Sequence, residues 1–221
     1  MRREPPAQTQ GHARRARPLG FARRRGSFFL FTLFCLAVLN VVASTGAQAQ
    51  SDLTPLQRAI RVQTARLSSA DVEERRDAVV RLGALGRPEG SRAASVALAD
   101  ASPIIRATAA RAVLSLGRDE AATLILPLLR DRDEFVRRAS AISLGQIASR
   151  ESVPALVEAL SDARAPNDVR RECARALGII GDPAAAPALR SALSAQDPYL
   201  SRIAFEALKK IDPQGATRPG V

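Results

Sequence analysis

The sequence contains few of the side chains on which common catalytic sites depend. It has no tryptophan, one histidine (His12) and two cysteines (Cys35 and Cys173) among 221 residues. His12 and Cys35 lie in an N-terminal segment that we expect to be removed, which would leave no histidine and one thiol. That composition excludes Ser–His and Cys–His catalysis, histidine-bound metals and an intramolecular disulfide. We therefore expect no enzyme activity, no cofactor and no metal site, although hydrolysis by two carboxylates stays open.

Aromatic residues are also scarce. Hydrophobic residues make up 46% of the chain but aromatic residues only 4%, so a core would be built from Ala, Leu, Val and Ile. Closely packed helices suit this composition better than a β-sandwich or barrel, whose strands favour aromatic and β-branched residues. We expect an all-α protein.

The excess of positive charge is unevenly distributed. Eight arginines and one glutamate precede Gln50, so this segment carries +7 of the formal +11. From Gln50 onward, 25 basic residues face 21 acidic ones, a net charge of +4. With so small an excess and so few aromatic side chains for base stacking, we expect no nucleic-acid partner.

The N-terminus has the layout of a secretory signal. Arg-rich residues 1–27 precede an apolar run at 28–43, and Ala47 and Ala49 form a small-x-small pair. This pattern predicts cleavage after Ala49 and a periplasmic or secreted protein; the alternative is an uncleaved membrane anchor. We divide the chain into a basic region and signal peptide (1–49), a folded domain (50–216) and a disordered tail (217–221).

The rest of the chain repeats itself. Arg75, Arg106, Arg137 and Arg170 are 31, 31 and 33 residues apart. Small or apolar residues recur three, four and seven positions after each arginine, which is the spacing of one helix face. Eleven positions after the arginine lies a small residue that we expect to end the helix in a left-handed conformation. These residues are Gly86, Gly117, Ala148 and Gly181.

A second helix follows in each repeat. Counting from the residue that ends the first helix, apolar residues recur at positions eight and twelve, again one helical turn apart. They are Ala94, Ile125, Leu156 and Leu189, then Leu98, Leu129, Leu160 and Leu193. Residues 55–67 match a lone second helix and 197–211 a lone first helix. The sequence thus predicts about four full repeats with half-repeat caps.

The repeat resembles the HEAT family, in particular the short HEAT-like repeats shared with phycobilin lyases. The sequence pattern D-x-x-V-R-x-x-A-A-x-A-L-G-x-I-G-D is clearest at 168–182 and 133–147. The resemblance covers about residues 53–212. It implies an α-solenoid of stacked antiparallel helix pairs. It is specific for the architecture and not for an activity, since such repeats host many unrelated roles.

The resemblance also implies a structural ladder of Asp and Arg side chains between neighbouring repeats. Its members here are Asp100, Arg106, Asp131, Arg137 and Arg170. Each aspartate precedes an arginine by six residues, near a helix start where it caps free N–H groups. In the fourth repeat Asp162 precedes Arg170 by eight, so the loop should bulge and Asp168 should take the cap.

Five further arginines are predicted to line up on the first helices as a basic ridge, because they lie one and five positions after the repeat arginine. They are Arg76, Arg111, Arg138, Arg171 and Arg175. Two interpretations stay open: a solvated face balanced by neighbouring acids, or a docking strip for an acidic partner or anionic lipid head groups.

Cys173 lies beside arginines in the sequence. It also lies three residues after the repeat arginine, a position that small residues occupy in the other repeats. We expect it to be buried between helices and unreactive. Taken together, the sequence predicts a monomeric, exported, non-catalytic scaffold that binds an unidentified protein partner. The alternatives are a subunit of the bilin-lyase type and a membrane-anchored scaffold, which would meet the membrane only through its N-terminal segment.

Overall fold

The computed structural model describes residues 53–215, and these form ten α-helices joined by short turns and 3₁₀ segments. The helices are α1 (Pro55–Arg66), α2 (Val72–Ala84), α3 (Pro88–Ser95), α4 (Pro103–Ala112), α5 (Arg118–Ile125), α6 (Glu134–Ile147), α7 (Val153–Ser161), α8 (Asn167–Ile180), α9 (Ala186–Ala192) and α10 (Pro198–Ile211). The predicted signal peptide and C-terminal tail lie outside the described residues. Within 53–215, no helix has the length and apolarity needed to cross a membrane.

The helices form the predicted pairs. The first helices of the repeats are α2, α4, α6, α8 and α10, and each packs against the next; the second helices are α1, α3, α5, α7 and α9. The small-residue column at position three is fully buried throughout: Ala78, Ala109, Ser140, Cys173 and Ala204. The column at position seven is equally buried, from Leu82 to Leu208. The all-α solenoid with half-repeat caps is therefore confirmed.

Small residues allow neighbouring first helices to approach closely. A Cβ added to Gly83 would lie 2.9 Å from Ala112 Cβ, one on Gly145 would lie 3.0 Å from Ala176 Cβ, and one on Gly178 would lie 2.6 Å from the Cβ of Ala207. Three of the four interfaces between first helices thus use the same glycine position, eight residues after the repeat arginine; the second repeat has Leu114 there.

The left-handed turns between helices are present in three of the four repeats. Gly86 and Gly181 have φ of +60° and +72°, and Ala148 has φ of 52°. Gly117 was predicted to do the same, and this prediction is wrong. Helix α4 ends early at Ala112, the chain continues through a 3₁₀ turn, and Gly117 begins α5 with φ of −55°.

Candidate functional site

Two arginines bridge adjacent repeats through ion pairs that are largely shielded from solvent. Arg106 donates from Nε and Nη2 to the Asp131 carboxylate at 2.7 and 2.8 Å, and both side chains are less than a tenth exposed. Its Nη1 donates to the carbonyl oxygens of Asp100 and Ala101, at the start of its own helix. Arg75 pairs with Asp100 in the same way, at 2.9 and 3.1 Å. The carboxylate partner of each arginine is thus the aspartate 25 residues later in the chain. Backbone carbonyls five and six residues earlier in the chain hold the guanidinium in place.

The third repeat breaks this series. Arg137 keeps the backbone contacts, since its Nη1 donates to the carbonyls of Asp131 and Arg132 at 2.8 and 3.2 Å. The aspartate 25 residues ahead is Asp162, which is exposed and has ψ of 103°, compared with 147° at Asp131. Within the described chain, no carboxylate oxygen lies within 4.0 Å of the Arg137 guanidinium.

In the fourth repeat, Arg171 forms the ion pair to the next repeat that was predicted for Arg170. Arg170 donates to the carbonyl of Leu160 and reaches no carboxylate in the described residues, so the prediction that it forms a rung is wrong. Arg171, predicted for the ridge, donates instead from Nε and Nη2 to the Asp197 carboxylate at 2.6 and 2.8 Å. Two extra residues lengthen the loop before α8, while Val169 and Cys173 keep the buried positions of the repeat. Asp168 does not cap α8 but pairs with Arg171 in the first turn.

Most of the predicted ridge is neutralised by neighbouring acids. Arg76 pairs with Glu73 at 3.0 Å, while Arg138 and Arg175 share Glu172 at 3.7 and 3.1 Å. Among the five ridge residues, only Arg111 has no carboxylate partner in the part of the chain that the structure describes. The geometry favours a balanced face over a bare cationic strip, and docking on it stays a prediction.

The ridge nevertheless belongs to a larger continuous surface. Four shallow depressions run along the first helices, and each shares lining residues with the next. The largest has a volume of about 500 Å³ and includes Arg76 and Arg111. We call the whole the first-helix surface, defined by Arg76, Val80, Arg111, Phe135, Arg138, Arg171, Arg175, Ile179, Tyr199 and Arg202.

Exposed apolar side chains are concentrated on the same helices. Val80, Phe135, Ile179 and Tyr199 are between 49% and 57% exposed, and all four lie on the first helices and the first-helix surface. The Arg171 guanidinium stacks on the Tyr199 ring at 5.1 Å. Phe135 and Tyr199 were not predicted from the sequence, although they share one repeat position, two residues before Arg137 and Ser201 respectively.

A separate cavity lies on the side of the second helices. It has a volume of about 720 Å³ and is bordered by the 3₁₀ segment Leu126–Arg130, by α7 and by the loop before α8. Arg137 lines it, as do Asp162 and Arg164 of the lengthened loop. We call it the second-helix cavity.

Cys173 is confirmed as a packed side chain rather than an exposed thiol. It is fully buried on α8. Burial, with a smaller contribution from the Glu172 charge, raises the pKa of its thiol to about 12. Its arginine neighbours in sequence, Arg170 and Arg171, are engaged elsewhere. No group of three or more metal-ligating side chains occurs within 53–215.

The fold defines an α-solenoid of helix pairs, and comparison with known families agrees. A model of HEAT repeats matches residues 60–144, 92–168 and 124–209, so the matches together reach across most of the solenoid. The chain belongs to the HEAT repeats family. A comparison with curated proteins gives no significant match.

Solved structures share the architecture. A chain in the complex of CpcE and CpcF of phycocyanin lyase from Nostoc sp. PCC7120 superimposes with a TM-score of 0.61 at 25% identity, over 74% of this chain and 66% of that one. The present chain thus spans just under two thirds of that protein's length. An engineered protein (TM-score 0.50, 20% identity, 69% and 80% coverage) and Kap121p (TM-score 0.51, 16% identity, 70% and 21% coverage) are similar in fold alone.

Proposed function

We propose that this HEAT-repeat domain is a non-catalytic scaffold that binds an acidic segment of another protein along the first-helix surface. The observation that carries the proposal is the continuity of that surface, which crosses five first helices without interruption. A partner laid across it would contact every repeat, as suits a solenoid whose units present equivalent positions side by side.

The composition of the surface supports a protein partner. Half-exposed Phe135 and Tyr199 alternate with arginines, and Tyr and Arg are enriched among residues that dominate binding energy in protein interfaces. Seven cationic and four acidic side chains line the four depressions, which favours a segment of negative charge. The similar chain of phycocyanin lyase was solved in a complex with a second protein, which also supports the proposal.

Site-specific photocrosslinking tests where the partner binds. A photoreactive phenylalanine analogue is placed at Phe135 or Tyr199, and in a matched control at Val96, which is 72% exposed but belongs to the second-helix side. We expect one acidic protein to be captured from Phe135 and Tyr199 and not from Val96. Equal capture from all three positions, or none from the first two, contradicts the proposal.

Charge reversal then tests the chemistry. Arg111 and Arg202 are exposed and, in the described residues, hold no carboxylate, so replacing both with Glu removes no ion pair. We expect salt-sensitive partner binding to fall by about tenfold or more. The control, Arg61→Glu with Arg87→Glu, changes the net charge by the same amount at positions outside the first-helix surface. It should have little effect on partner binding. Equal losses in both double variants would contradict the assignment.

We further propose that the domain acts outside the cytoplasm. The support is the sequence pattern at the N-terminus, where an Arg-rich segment, an apolar run and Ala47–x–Ala49 follow one another. N-terminal sequencing of protein recovered from the envelope fraction should begin at Gln50. A start before residue 28 would instead favour the membrane-anchored scaffold.

A second candidate is a subunit of a bilin lyase. The similarity to the phycocyanin lyase complex favours it, while the absence of histidine after His12 gives it no acid–base side chain of that kind. Incubation with a bilin and an acceptor protein tests it directly. An absorbance change typical of an attached bilin, dependent on this protein, would replace the scaffold proposal.

A further inference from the structure

We propose that the interrupted rung at Arg137 is a binding site for a single carboxylate attached to an apolar group, held in the second-helix cavity. Arg137 and the cavity are distinct from the residues that define the first-helix surface, and Val169 alone lines both the cavity and a depression of that surface. Three observations carry the proposal: the orientation of Arg137, the cavity beside it and the displaced aspartate.

The guanidinium of Arg137 is held in the orientation that binds a carboxylate elsewhere in the same molecule. Its Nη1 makes the two backbone contacts that Arg106 also makes, to carbonyls six and five residues behind. In Arg106, the remaining Nε–Nη2 edge binds both oxygens of Asp131. In Arg137 that edge has no protein acceptor within 53–215. A planar fork of this kind matches a carboxylate through two parallel hydrogen bonds.

Arg137 lines a cavity large enough for a small ligand. Its volume is about 720 Å³, within the range of small-molecule and peptide pockets. Leu126, Leu129 and Val169 supply apolar lining, so an apolar group next to the carboxylate would be covered. An apolar C-terminal residue of a peptide, or an acidic side chain beside an apolar one, has this chemistry.

The charges around the cavity favour one carboxylate over a polyanion. Asp131 is bound by Arg106, and Glu158 by Arg130 at 2.6 Å. Glu151 and Asp162 balance Arg164 and Arg137 among the other lining residues. Because the side chains that line the cavity carry no net positive charge, binding of a carboxylate would depend on the planar guanidinium of Arg137. Phosphate should bind poorly.

The open rung follows from the length of one loop. Asp162 precedes Arg170 by eight residues, whereas Asp100 and Asp131 precede their arginines by six. Asp162 still accepts a hydrogen bond from the Arg164 backbone N–H at 2.9 Å, but its carboxylate is exposed and away from Arg137. Deletion of Arg164 and Ala165 restores the shorter spacing and should let Asp162 occupy the fork.

The test follows the Arg137 Nε–H signal by ¹⁵N NMR, assigned with Arg137→Lys, in the folded domain. The probes are acetyl-Ala-Leu with a free carboxylate, acetyl-Glu-Leu-amide, acetyl-Ala-Leu-amide and inorganic phosphate. We expect saturable binding of the first or the second probe, which distinguishes a C-terminal from a side-chain carboxylate. We expect no binding of the amide lacking a carboxylate.

Variants complete the test. Arg137→Lys keeps the charge but loses the fork, so the affinity, measured by isothermal titration calorimetry in this variant and in the wild type, should fall about tenfold. The loop deletion should abolish binding while circular dichroism shows an intact helical fold. The proposal is overturned if neither carboxylate probe binds the wild type, if phosphate binds as well as they do, or if the folded deletion variant still binds. Arg111→Glu with Arg202→Glu should leave this binding unchanged, whatever it does to partner binding on the first-helix surface.

Discussion

Neutralising Asp131 should destabilise the solenoid far more than neutralising Asp162. Both carboxylates accept a hydrogen bond at 2.9 Å from the backbone N–H two residues ahead, Asp131 from Asp133 and Asp162 from Arg164. An asparagine keeps that acceptor in either place. Only Asp131 faces an arginine, so the difference between Asp131→Asn and Asp162→Asn isolates the buried ion pair with Arg106.

The magnitude follows from the burial of the pair. Removing one partner of a fully buried ion pair costs about 3–5 kcal/mol, because the other charge stays buried without compensation. The Arg106 and Asp131 side chains are 8% and 9% exposed, so some water reaches them. The expected loss in the free energy of unfolding is therefore about 2–3 kcal/mol. Replacement of the exposed Asp162 should change the free energy of unfolding by less than about 0.5 kcal/mol.

Urea unfolding followed by circular dichroism at 222 nm measures the difference. Because solenoids unfold repeat by repeat when one interface is weakened, hydrogen exchange across α4 and α6 should be measured in parallel. If Asp131→Asn and Asp162→Asn destabilise the protein equally, the rung contributes nothing beyond its local turn. The reasoning from burial would then be refuted.

The same pair makes acid stability a second readout. The hydrogen bonds from Arg75 and Arg106 hold the pKa of Asp100 and of Asp131 below their ordinary value. A carboxyl group with a lowered folded-state pKa stabilises the fold above its unfolded pKa of about 3.9 and loses that contribution as the pH falls further. The wild type should therefore lose stability below about pH 4. Asp131→Asn should show a shallower decline over the same range.

Three further predictions concern packing. Gly178→Ala should cost about 1–2 kcal/mol, because its Cβ would lie 2.6 Å from that of Ala207, and the exchange Gly178→Ala with Ala207→Gly should recover most of the loss in urea titrations. Ala148→Gly should raise the free energy of unfolding by about 0.5–1 kcal/mol, since Ala148 has φ of 52°; an unchanged or lower urea midpoint would contradict this. Cys173, with its pKa raised to about 12, should react with a thiol reagent at pH 8 about a hundredfold more slowly in the native protein than in urea; rapid native labelling would show an accessible thiol.

Burial could be predicted from the sequence because one repeated spacing determines it. The columns containing Ala78 and Leu82 recur every 31 to 33 residues, and each proves buried because stacked helices place equivalent positions in equivalent surroundings. The pairing of long charged side chains could not be predicted in the same way. An arginine can contact groups before or after it in the chain, and spacing alone did not show that Arg106 pairs with Asp131 rather than with Asp100.

The fourth repeat shows how one local difference spreads through the arginine contacts. Two extra residues lengthen the loop between Asp162 and α8, and they leave the face that α8 turns to the core unchanged. Arg171 rather than Arg170 then faces Asp197, and Asp162 no longer faces Arg137. The core columns do not change, because Val169 and Cys173 still pack inward. A repeat protein can therefore open a polar site at one repeat while its apolar core continues, and the lengthened loop marks where this chain does so.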